Sequence, residues 1–77
     1  MSVKLPWGKQ IVRRFRKDDL VRNIFAFANS LILEKEGAHK SFDLCTAYPS
    51  MSLRDNLTET IEAAGVSGSQ VILRYDA

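Results

Sequence analysis

The chain has 77 residues, 45% hydrophobic and 26% charged, with 11 Lys and Arg against 9 Asp and Glu. That suits one small domain with a modest core and a stability on the order of 5 kcal/mol. A net charge of +2 is too weak to argue for nucleic acid by itself, and one Cys with one His gives neither an internal disulfide nor a structural zinc set.

The first segment, Val3-Lys4-Leu5, is extended, with apolar residues two apart. Pro6-Trp7-Gly8-Lys9 is turn chemistry, because proline fixes one dihedral and glycine permits a positive φ. Gln10 to Arg16 reads as a second strand, with Ile11 and Phe15 on one face and Arg13 breaking the alternation. Two strands across a short Gly turn predict a β-hairpin. A helix follows. Asp18 or Asp19 is expected to cap its start, and Leu20, Ile24, Phe27 and Leu31 repeat at helical spacing. Gly37 is the expected stop, inside a charged loop from Glu34 to Lys40.

Ser41 to Tyr48 alternates as a third strand, and Met51 to Leu53 adds a short fourth. Leu57, Ile61 and Ala64 predict a second, shorter helix ending at Gly65. Val71, Leu73 and Tyr75 alternate in a last strand. The expected order is β-β-α-β-β-α-β. The fold class is then α+β: a mixed sheet with a helix across one face and the first and last strands parallel at its centre, the β-grasp or ubiquitin-like arrangement.

The third strand runs straight into Tyr48-Pro49-Ser50. Proline cannot donate to a sheet ladder, so the strand is expected to end there in a sharp turn that pushes Tyr48 outward. A large ring on a rigid turn loses little side-chain freedom on binding, which suits docking into a partner's pocket.

These residues resemble the UBX domain family. Leu5-Pro6-Trp7-Gly8 and Arg13-Arg14-Phe15 stand where that family has a Leu-Pro-x-Gly turn and a basic strand ending in Arg-Phe. Phe42-Asp43-Leu44-Cys45-Thr46 is similar to its Phe-x-Leu-x-Thr strand, and Tyr48-Pro49-Ser50 to the Phe-Pro-Arg turn that follows. Leu57 to Gly65 resembles its late Leu-Thr helix. The resemblance implies an adaptor that docks on the N-terminal domain of valosin-containing protein, a hexameric AAA ATPase, and recruits ubiquitinated clients. It implies Lys4, Tyr48, Pro49 and Ser50 as the binding residues, and no cofactor, small-molecule ligand or membrane contact. Two positions depart from the pattern: Lys4 and Ser50 stand where the family has Arg. Each lost guanidinium bond is worth roughly 1.5–3 kcal/mol, so weaker docking is expected.

Arg13, Arg14, Arg16 and Lys17 form a basic run that reads first as a solvated face. Arg13 and Arg14, with Trp7, are secondary binding candidates. A ubiquitin-like regulatory domain of a second kind would use this strand and the first helix, for a small GTPase or another part of its own chain. The run has no interleaved aromatic except Phe15, which argues against stacking on bases. Trp7 either covers the edge of the core or stands out as an anchor. No paired carboxylates and no Gly-rich phosphate loop appear, so no enzyme activity is expected.

No apolar run approaches the roughly 18 residues that span a bilayer. Met1-Ser2-Val3-Lys4 lacks the shape of a signal peptide. The lone Cys45 suits a reducing compartment, cytoplasmic or nuclear. Residues 1–77 are expected to be a single domain cut from a longer protein.

Overall fold

The computed structural model describes residues 1–38, 40–46, 51–66, 68 and 70–76. Five strands form one sheet: β1 (Ser2–Lys4), β2 (Gln10–Val12), β3 (Phe42–Thr46), β4 (Met51–Ser52) and β5 (Gln70–Tyr75). Their order is β2-β1-β5-β3-β4. β1 and β5 pair in parallel, and the other neighbours are antiparallel. This is the β-grasp expected from the sequence, with the first and last strands side by side at its centre. Strand alternation separates the faces. Val3, Val71, Leu73, Leu44 and Thr46 point into the core, while Lys4 on β1 is exposed.

The helix α1 (Val21–Glu36) supplies the other half of the core through Val21, Ile24, Ala28 and Ile32, all fully buried. Leu20, Phe27 and Leu31, three of the four residues in the expected stripe, are only half-buried, so the stripe is rotated toward Ala28 and Ile32. Gly37 ends α1 with φ 71° and donates its N–H to Leu33 O at 2.8 Å, as expected of a glycine stop. The β1–β2 turn also behaves as expected. Gly8 N–H donates to Leu5 O at 3.1 Å, and Gly8 takes φ 87°.

Three expectations need correction. β2 stops at Val12 rather than Arg16, because beyond the Arg13 N–H bond to Met1 O the chain leaves the ladder and Phe15 meets Phe27 of α1. A turn then forms in which Asp19 accepts the Arg16 N–H on its carboxylate at 2.8 Å. That commits Asp19 away from the helix, so no side chain caps α1, whose N-cap is Leu20. Its first N–H groups instead donate to distant carbonyls, Val21 to Glu59 O at 2.9 Å and Arg22 to Leu57 O at 3.2 Å.

Among the described residues the second helix, expected over 57–65, is absent for the same reason. After a 3-10 turn at Arg54–Asn56, residues 57–62 give their backbone groups to residues 17–22. Ile61 N–H donates to Asp19 O at 2.8 Å and Glu62 N–H to Lys17 O at 3.1 Å. Only one helical turn follows. The Thr60 hydroxyl caps the Ala63 N–H at 3.0 Å, and Gly65, at φ 74°, closes the turn. Val66 N–H to Ile61 O (3.2 Å) and Gly65 N–H to Glu62 O (3.0 Å) form a Schellman pair, with both Ile61 and Val66 buried.

Candidate partner-binding site

Lys4, at the end of β1, projects from the sheet face opposite α1. The register places Gln10, Lys4, Ile72, Cys45 and Ser52 in one row across all five strands. Two strand spacings, about 10 Å, separate the Lys4 and Cys45 backbones. In the adjacent row Thr46 pairs with Met51, and these two residues flank the segment 47–50. Tyr48, Pro49 and Ser50 themselves lie outside the described residues. Met51 is 44% exposed, one of few large apolar side chains left open. Its pairing with core-facing Thr46 puts Met51 on the α1 side of the sheet at the β4 edge, while the half-buried Ile72 sits directly beside Lys4 on the opposite face. Neither placement is signalled locally in the sequence, since only the strand register sets it.

Cys45 is half-buried on this face. Burial pushes its thiol pKa up, and the Asp43 carboxylate adds to the shift, accepting the thiol at 3.8 Å. That opposes thiolate formation and agrees with a packing role rather than a nucleophile.

Arg54 was not singled out by any sequence signal. Its Nη2 donates to Phe42 O at 3.0 Å and to both Asp76 carboxylate oxygens at 3.0 Å. The bond to Asp76 and the carboxylates of Asp76 and Asp43 hold its guanidinium charged. The clasp joins the start of β3, the turn after β4 and the end of β5, so it stiffens the sheet edge that carries Met51.

The secondary candidates lie elsewhere. Trp7 is half-buried, with the Lys35 ammonium 5.9 Å from its ring centre. Arg13 and Arg14 are exposed beyond β2. In this sheet order β2 and β4 are opposite edges, so Trp7, Arg13 and Arg14 do not join the residues flanking segment 47–50. Lys4 stands between the two groups. Phe15 is half-buried and meets Phe27 edge-on at 6.0 Å.

A small β-grasp domain with an open, mixed-polarity sheet face is a ubiquitin-like protein-interaction module. The sequence profile of the UBX domain matches residues 1–74, and the chain belongs to that family. UBX domain-containing protein 10 of Schizosaccharomyces pombe (strain 972 / ATCC 24843) is 39% identical over 36 residues, which are 47% of this chain and 8% of that protein. The chain therefore matches only a small part of that relative.

Proposed function

We propose that the domain is an adaptor that docks on the N-terminal domain of valosin-containing protein, presenting Tyr48-Pro49-Ser50 to a cleft and Lys4 beside it. The carrying observation is membership of the UBX family, taken with an exposed Lys4 one row from the Thr46–Met51 pair that flanks those residues. The work is recognition without chemistry, in a reducing compartment, cytoplasmic or nuclear. Lys4 supplies a point charge where a guanidinium would give two directed bonds, and Ser50 supplies none, so affinity is lower than an Arg pair would give.

The test is a calorimetric titration against the isolated ATPase N-terminal domain. The wild-type chain binds, Tyr48→Ala abolishes binding, and Ser50→Arg tightens it by about tenfold or more, the equivalent of one charge-assisted bond. No heat at about 100 μM wild-type chain, where a specific adaptor still binds measurably, overturns the reading.

A further inference from the structure

Among the described residues β2 is an edge strand, with only β1 beside it in the sheet. Leu5 N–H donates to Lys9 O at 2.7 Å and Arg13 N–H to Met1 O at 3.0 Å, at the two ends of the β1–β2 ladder. Antiparallel pairing alternates, so Val3 and Ile11 form the bonded pair between them. The backbone N–H and C=O groups of Gln10 and Val12 then face away from β1, toward open space. Val12 is 75% exposed, the most open large apolar residue described.

Beside this edge runs a furrow between β2, the chain that continues it, and α1. It has two hollows, of about 470 Å³ and about 340 Å³. The half-buried side chains of Phe15, Phe27, Ile11, Leu31 and Trp7 line it with apolar surface. Asn23, Phe27, Leu31 and Glu34 succeed one another at steps of three and four along α1, so the hollows share one helix face.

The rim is basic. Arg13 and Arg14 border one hollow, Lys9 and Lys35 the other, against Asp19 and Glu34. The Asp19 carboxylate is engaged by the Arg16 N–H at 2.8 Å. The Arg13 guanidinium lies 4.6 Å from the Phe27 ring centre and 5.4 Å from that of Phe15. Those rings hold it in place without using its N–H donors. Among the described residues, the ion pairs are made by Arg16 and Arg54, not by Arg13 or Arg14. Charge on an edge strand also deters unwanted pairing, but deterrence needs no apolar furrow behind it.

We propose that this furrow captures an extended peptide of apolar residues followed by acidic ones, which adds to β2 as a further strand. Its backbone bonds Gln10 and Val12, every second apolar side chain enters the furrow, and its carboxylates meet Arg13 and Arg14. This surface is separate from segment 47–50, and the inference does not rest on docking to the ATPase.

The probe is a short synthetic peptide, a run of Val and Ile followed by a run of Glu, titrated into the 77-residue chain and followed by amide NMR. Shifts are expected at Gln10 and Val12 and from Asn23 to Ser30, and the Gln10 and Val12 amides gain exchange protection. Arg13→Glu with Arg14→Glu weakens binding by about tenfold or more, as reversal of facing charges should. Val12→Pro weakens it comparably, because Val12 N–H serves only the free edge. If that variant fails to fold, exchange protection at Gln10 and Val12 in the wild type reads the same bonds. The proposal fails if the peptide shifts nothing, or if polyglutamate without the apolar run binds as tightly. It also fails if an oligonucleotide takes the same residues more tightly, or if the edge proves to be covered by a second copy of the chain in sedimentation.

Discussion

The Cys45 thiol faces the Asp43 carboxylate at 3.8 Å and is half withdrawn from water. Burial and that neighbouring charge both favour the neutral thiol, so alkylation by iodoacetamide at neutral pH is expected to be slower than for a free cysteine. Asp43→Asn removes the charge and is expected to speed the reaction severalfold. An unchanged rate would show that the carboxylate has no part in it. Lys4 and Cys45 were legible only as types, a charged strand residue and a small filler. Their placement in one row depends on β5 between them, which local sequence does not encode. Arg54 was illegible for the same reason, since its partners Phe42 and Asp76 are remote in the chain.

Helix α1 shows how far periodicity reaches and where it stops. Repeats of apolar residues announced the helix, and Gly37 its end, because both signals are local. The start was misread because Asp18 and Asp19 resemble caps in isolation, whereas the cap in use is a pair of carbonyls from Leu57 and Glu59. The same exchange kept residues 57–62 out of a helix despite their helical spacing. Ile24, at the centre of the helix's buried stripe, has no exposed surface. Ile24→Ala is expected to cost about 2–5 kcal/mol, a large share of a small domain's stability, while Leu33→Ala, on the 40% exposed side, stays within about 0.5 kcal/mol. Urea midpoints of the two variants check this contrast, and equal losses would contradict the packing described.

The sheet order leaves β2 and β4 at opposite edges, and side-chain bonds tie the last strand to the rest of the fold. The Tyr75 hydroxyl donates to Glu36 Oε1 at 3.1 Å, linking the last strand to the end of α1. Burial, that bond and the Glu36 charge raise the Tyr75 pKa above its ordinary 10.0, and Cys45 is raised above 9.0. Both groups favour their neutral forms when folded. The folded chain therefore holds more protons than the unfolded one once pH passes 9, and their stabilising contribution, intact below that, is lost as pH climbs through the folded values. Urea midpoints are expected to drop from pH 8 to pH 11, and Tyr75→Phe to flatten part of the drop; an identical slope in the variant would exclude Tyr75. The reciprocal bonds between residues 17–22 and 57–62 have a bearing on how the domain is made. On the ribosome, the opening turn of the helix has nothing to hold its amides until the later stretch emerges. The N-terminal half is expected to stay an unfinished hairpin and a fraying coil until nearly all of the domain has been synthesised, and to close in one late step.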